Sequence, residues 1–315
     1  MGVDHTISHE DAVHTAWNND LDPALTVDSG AVVEFDCHHA NGDNLTGETQ
    51  SADLPDVEFV GHWLTGPVAV RGARPGDVLT VEFKAISHGD WGYTLIRRGE
   101  SEGGLLPEDF PEPYLYHWDL DDNVGYFENG IEIPLDPFPG VAGVAPETDG
   151  DHSTSPPRDV GGNLDIKHLT AGSTLYLPVA VDGALFSLGD GHAAQGDGEV
   201  CISPIETTLD LTVELTVCKD MSIDRPQFET SGPFTPTGRD EPMYATTGID
   251  ADLMDASKAA IRAMIERLHG QKGLSRPQAY ALCSVAADLK INEIVNDPNY
   301  VVSAYLAESI FPDGA

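Results

Sequence analysis

Between about Ala24 and Cys218, short β-rich runs alternate with bends that contain Gly or Pro, and no other feature limits the possible folds so strongly. ALTVDSGAVVEFDC, GPVAVRGARPGDVLTVEFKAIS, STLYLPVAVDGALFSLGD and TTLDLTVELTVCKD carry Val, Leu, Thr and Phe at strand spacing, with DSG, PGD or AGS at the bends. In RGARPGDVLTVEF, Pro75-Gly76-Asp77 makes a turn, after which Val78, Thr80 and Glu82 alternate with Leu79, Val81 and Phe83 on the two faces of a strand. Many such strands and almost no helical period predict a mainly β fold with a β-sandwich or barrel-like core. From Ser101 to Pro157 the chain turns rich in Pro, Gly and Asp, which predicts long irregular loops of the kind that cover a site.

After about Asp250 the period changes to that of a helix. Asp255-Ala256-Ser257 opens a helix predicted to run through His269 and to stop at Gly270. Ser275 caps a second one, with Pro277 at an early position, and a β-like run, INEIVNDPNYVVSAYL, follows. The predicted organisation is a β-rich catalytic domain with long Pro/Gly loops over residues 1–220. A small C-terminal α/β appendage with two helices then occupies 221–315.

Charge bears on partners and setting. With 16 basic and 53 acidic residues the formal charge is −37, and the acids are scattered along the whole chain. A phosphate backbone would be repelled, which argues against nucleic acid as a partner. The pattern suits a halophilic, salt-rich cytosol, where screening weakens self-repulsion. No apolar run reaches the eighteen or so residues of a membrane span, and the first residues have neither a basic head nor an apolar stretch. A cytoplasmic protein with no membrane partner is expected. Cys37, Cys201, Cys218 and Cys283 form no CxxC pair and read as buried free thiols.

Chemistry concentrates in VDGALFSLGDGHAAQGDGEV, from Val181 to Val200. Here Asp190, His192, Asp197 and Glu199 are threaded through glycines after an apolar strand. Asp190 and His192 stand two apart, on one side of an extended backbone, the geometry of a metal or acid–base site. A Gly/Asp-rich hairpin turn is the plain alternative.

Several long segments, TGPVAVRGARPGDVL, FPGVAGVAP, GGNLD, LYLPV and GALFSLGDGHAAQGDGEV, together resemble the acetamidase/formamidase family in order and spacing. The resemblance runs from roughly His5 to Leu306, and SRPQAYALCSVAADLKINEIV is similar to the family's C-terminal part. It implies an amidase that hydrolyses a small amide substrate, formamide or acetamide, to carboxylate and ammonia. A larger amide or a cyclic imide stays open. There is no G-x-S-x-G elbow and no cysteine nucleophile arrangement. What remains is carboxylates and histidines, the set with which a divalent metal, zinc before calcium, activates water.

The preferred ligands are His39, from DCHHANGDN, with Asp190 and His192. An acidic residue is expected in the family where His39 stands, so His38 and Asp36 remain alternatives. Glu199 is the candidate general base, expected to enter an apolar strand, VCISPIE, where burial would raise its pKa. Asp165 could orient a ligand histidine, be a ligand itself, or stabilise a turn. His62 and Gly191 are assigned to the substrate, Trp91 and Phe186 to the core or pocket wall, and His152, His168 and His269 to the surface. A homodimer is expected from class. The competing reading is a non-catalytic β-sandwich binding protein whose loops ENGIEIPLDP or ETDGDHSTSPP hold a structural calcium.

Overall fold

A computed structural model of the chain describes residues 2–97, 104–230, 243–295 and 298–312. It is mainly β, as the alternating runs predict, and its centre is a sandwich of two sheets. One sheet orders His5–Ser8, Ala31–Cys37, Leu209–Cys218, Val78–His88, Thr174–Pro178 and Gln227–Glu229. Facing it, Gly161–Asn163, Phe138–Val144, Phe186–His192, Leu64–Val70 and Val13–His14 form the other, with Leu25–Val27 parallel to Leu64–Val70.

Period-two patterning explains the packing. Leu79, Val81 and Phe83 are fully buried on one face of their strand, and Thr80 and Glu82 on the other are only half-buried. They meet Phe35, Leu211 and Val213 from their own sheet and Val68, Phe138, Phe186 and Leu188 from the opposite one, forming a single core. Phe35 and Phe186 touch edge to face across it, with ring centres 5.9 Å apart. At the predicted turn, Gly76 takes φ +92°, a conformation that glycine adopts without strain.

The stretch from Ser101 to Pro157 departs from expectation. Residues 101–103 lie outside the described residues, but much of the rest is strand: Tyr114–Asp121, Val124–Tyr126, Glu132–Pro134 and Phe138–Val144. Its prolines mostly bracket these strands, with Pro111 and Pro113 before Tyr114 and Pro137 before Phe138, so they do little to break the ladder. The first three of these strands pair with Trp91–Ile96 in a four-stranded antiparallel sheet.

The C-terminal part is α/β. Helix α1 spans Leu253–Lys272, and the Asp252 side chain caps it by accepting hydrogen bonds from the amides of Met254 and Asp255. Gly270 does not stop it. An exposed helical Gly costs only about 1 kcal/mol, and the chain leaves the helix at Gly273, which takes the left-handed conformation at φ +71°. Helix α2, Arg276–Ala286, carries a full capping box between Ser275 and Gln278. Met243–Asp250, Tyr300–Ala307 and Asp288–Glu293 form the accompanying sheet; residues 231–242, ahead of it, lie outside the described residues.

Both helices pack into a second core that reaches Ile96, Trp118, Val200 and Ile205. This contact sets the position of the 193–203 segment. Gly196 lies against Ala287, where a Cβ would approach the carbonyl oxygen to 2.2 Å, and its amide donates to the Ser284 carbonyl at 2.8 Å. Ser284 Oγ accepts from the Cys201 amide at 3.0 Å, and Tyr280 donates to the Val200 carbonyl. Among the described residues no helix is long and apolar enough to cross a membrane. Cys37, Cys201 and Cys283 are buried free thiols and Cys218 is half-buried.

Candidate active site

The Phe186–His192 strand delivers Asp190 and His192 to the seam between the sandwich and the four-stranded sheet, and both side chains are buried. The seam is stitched by residue 206, which forms isolated bridges to Tyr93 on one side and His192 on the other. Asp190 has φ +57°, so the backbone is not the ideal extended strand that a two-residue spacing assumes. Its carboxylate still meets His192, Oδ1 lying 3.4 Å from Nε2, while Oδ2 lies 3.7 Å from Nε2 of His62.

The orientation of His192 is determined by its other nitrogen. Nδ1 lies 3.0 Å from the Gln195 amide oxygen, which can only accept, so Nδ1 carries a proton. Gln195 is held in turn by donating to the Asp165 carbonyl at 2.9 Å. Nε2 therefore faces the carboxylates. Asp165, Asp190 and His192 can each bring one ligand atom within 4.8 Å of the others, and among the described residues they are the one such group. Two carboxylates and an imidazole, neutral once an ion replaces the proton on Nε2, carry the charge and donor types that suit a divalent transition ion such as zinc. Asp190 Oδ1, buried without a hydrogen bond, is an acceptor still lacking a partner.

Further acids surround this group. Glu206 hydrogen-bonds to Asp190, and burial followed by the Asp190 charge pushes its pKa well above the ordinary range, so it is the proton donor of that pair. Glu199 is likewise pushed well above the ordinary range, by burial and then by Asp165. Burial also raises Asp165, to about 6, with the Asp190 charge adding to the rise. Asp190 goes the other way. Burial works to raise it, but the nearby histidines His192 and His62 outweigh burial and hold it well below the usual range. For His192, burial works downward and the Asp190 carboxylate wins, lifting its pKa to about 10.

These groups open on a cavity of about 330 Å³. Asp165, Asp190, Glu199, Glu206 and His62 line one end, and Phe59, Leu95, Ile202 and Arg97 are among its other walls. Of the seven non-glycine residues with positive φ among those described, four line it: Asp165, Asp190, Glu199 and Ile202. Such strained backbone concentrates at functional sites. The Asp165 and Glu199 loops are tied together by Lys167, which pairs with Asp197 at 3.2 Å and with Asp288 of the C-terminal sheet.

His39 lies apart from the ligand group. It is buried edge-on to Trp91 and Tyr93, with Nδ1 3.2 Å from the Tyr93 hydroxyl, and burial pushes its pKa down to about 3. The carboxylate that joins Asp190 and His192 is that of Asp165. Of the alternatives, His38 pairs with Asp43 at 3.4 Å, and Asp36 accepts from Ser8 at 2.6 Å and pairs with His9 at 3.2 Å. Gly191 turns toward Thr207 and Leu209 and does not line the cavity. Val200–Glu206 is irregular where a strand was expected, because Ile202 takes φ +77° and Pro204 follows. His269 is exposed and His152 half-buried, whereas His168 is 9% exposed and so is not the surface residue expected. The calcium-type loops at 128–137 and 147–157 contribute no metal-holding group among the described residues.

The profile of the Acetamidase/Formamidase family matches residues 2–151 and 148–313. The chain belongs to that family. A formamidase from Methylophilus methylotrophus is 28% identical over 95% of this chain and 89% of its own length. An acetamidase from Mycolicibacterium smegmatis is 28% identical, covering 90% of this chain and 88% of its own. Among solved structures, a gamma lactamase from Delftia acidovorans superposes with a TM-score of 0.89 at 28% identity, over 98% of this chain and 93% of that one. Membership of the acetamidase/formamidase family makes this chain an amide hydrolase.

Two residues outside the initial reading matter here. Glu206 ends the apolar run VCISPI, and a lone acid closing such a run is the available signal. Gly140 lies within FPGVAGVAP, and a Cβ there would sit 2.4 Å from Cε1 of His192 and 2.7 Å from Oδ2 of Asp190. Gly140→Ala is expected to lower kcat/KM about 10²-fold, the cost of displacing reacting groups by about 1 Å. The far-ultraviolet circular dichroism spectrum should be unchanged, because its φ is one that alanine adopts.

Proposed function

We propose that the chain hydrolyses a carboxamide to its carboxylate and ammonia with one water, at a divalent cation held by Asp165, Asp190 and His192. The observation that carries the reading is the convergence of these three side chains, two of which line one cavity together with Glu199. When bound, the cation supplies Lewis acidity, polarising the carbonyl and lowering the pKa of water. In the cation-free site Glu199 holds a proton against Asp165; with its pKa lowered beside a bound cation, it would release that proton, take one from the attacking water and deliver it to the departing nitrogen. Glu206 holds Asp190 by donating to it, and Gln195 keeps the His192 ring in register. His62 Nδ1 sits 3.0 Å from Thr154 Oγ1, which also accepts from the His62 amide at 2.7 Å. With the hydroxyl proton directed to Nδ1, Nε2–H faces Asp190 Oδ2 at 3.7 Å at the cavity wall, where it can donate to that carboxylate or to a substrate carbonyl. The relatives named formamidase, acetamidase and gamma lactamase share cleavage of an amide C–N bond, which supports the same reaction class.

The test is ammonia release from a panel of amides at high salt, before and after chelation. Release that is lost on chelation and restored by zinc is expected. A folded protein that releases no ammonia from any amide overturns the hydrolase reading, and release indifferent to chelation overturns the metal.

The net charge of −37 supports a salt-rich setting. The Debye length contracts from about 10 Å at 0.1 M salt to about 3 Å at 1 M, which relieves repulsion among the acids. The melting temperature is therefore expected to rise steadily with KCl over that range. A flat or falling curve in differential scanning calorimetry would remove the halophilic reading.

A further inference from the structure

Part of the cavity wall is apolar, unlike the acids and histidine that line the rest of the site. Ile202 lines it, is 39% exposed, and holds φ +77°. A β-branched side chain in the left-handed region is an outlier that persists only where its surroundings impose it. Here its amide donates to the Glu199 carbonyl at 2.8 Å, so the turn that sets Glu199 also carries Ile202 to the cavity wall. Phe59 and Leu95 line the same space. The Phe59 ring stands edge-on to His62 with centroids 5.1 Å apart, and the Arg97 guanidinium covers it 4.6 Å from the centroid. Arg97 also donates to Asn41 Oδ1 at 2.9 Å. The arginine thus braces the aromatic wall.

The volume of about 330 Å³ lies at the lower end of the roughly 300–1,000 Å³ found for pockets that enclose drug-sized ligands. Formamide and acetamide would fill only a small part of it. Resting on the hydrolase reading above, we infer that the substrate is an amide whose acyl group carries an apolar chain or ring longer than methyl, packed against Phe59, Leu95 and Ile202. The carboxamide then lies against Asp190 and the hydrocarbon against Phe59, Leu95 and Ile202. Water leaves the apolar wall when the substrate enters, and that gain grows with each methylene buried.

Steady-state ammonia release from formamide, acetamide, propionamide, butyramide and pentanamide, using the full-length metal-loaded protein, tests this. The expected result is a kcat/KM that rises about fourfold per added methylene beyond acetamide. Ile202→Ala should reduce the pentanamide-to-acetamide ratio about tenfold. A flat series, or one that falls from formamide onward, overturns the inference and leaves the hydrolase reading standing. A rising series whose slope is the same in Ile202→Ala overturns the assignment of this wall. Absence of ammonia from every amide is the distinct failure of the hydrolase reading itself.

Discussion

Asp190→Asn is expected to abolish amide hydrolysis and metal retention together while the protein stays folded. Asp190 is the member of the ligand group held most firmly as an anion, and His192 and His62 both turn a ring nitrogen toward it. Asparagine matches it in shape and tolerates the left-handed backbone at φ +57°, so the strand and its pairing should persist. The lost negative charge weakens the hold on a divalent cation and removes the field that keeps His192 oriented. Lewis-acid assistance is worth several kcal/mol, and at about 1.4 kcal/mol per factor of ten its loss corresponds to a fall of roughly 10³–10⁴ in kcat/KM. Metal analysis after gel filtration should find sub-stoichiometric zinc in the variant, and calorimetry should find a melting temperature close to the parent's. Full zinc occupancy with unchanged turnover in Asp190→Asn would end the ligand assignment.

Much of the fold follows from local pattern, because the physics that sets it is local. Leu79, Val81 and Phe83 alternate with Thr80 and Glu82, and the sheet buries the first set. Ser275 and Gln278 meet in the capping box that Ser275-Arg276-Pro277 suggests. What misled was composition read as structure: in the Pro-rich 101–157 stretch YLYHWDL, between Pro113 and Pro134, is rich in good strand formers, and FPGVAGV forms a strand despite Pro139 because it pairs with Phe186–His192 and Gly161–Asn163 on either side. At the site, Asp190, His192, Asp165, Glu199 and His62 are legible from one Gly-rich run and its neighbours, and the structure gathers all five. The choice between His39 and Asp165 beside them was not. It depends on how the 161–168 loop folds back, with the Asp165 amide donating to the Gly140 carbonyl at 3.1 Å and its own carbonyl accepting from Gln195. Such long-range contacts leave no periodicity. The same holds for Glu206 and Gly140, whose roles arise where strands distant in sequence meet.

Glu199→Gln is expected to separate chemistry from metal binding. Glu199 lines the cavity next to the ligand group and hydrogen-bonds to Asp165. Burial first, and the Asp165 charge second, hold a proton on it in the cation-free site; a cation beside Asp165 would bring that pKa back toward the working range, where Glu199 can accept a proton from water and pass it to nitrogen. Glutamine keeps the size and can still donate to Asp165, but it cannot take up the proton. Removing a general acid–base group costs about 10²–10⁴ in rate, so kcat should fall about 10³-fold, with KM changing much less because the walls that hold the substrate are intact. Zinc content should equal that of the parent, in contrast to Asp190→Asn. The turn at Glu199 has φ +43°, a conformation no easier for glutamine than for glutamate, so a stability difference from that source is not expected and a thermal melt serves as the control. If Glu199→Gln turned over amides at the parental rate with full zinc, the assignment of Glu199 as the group that carries the proton would be overturned.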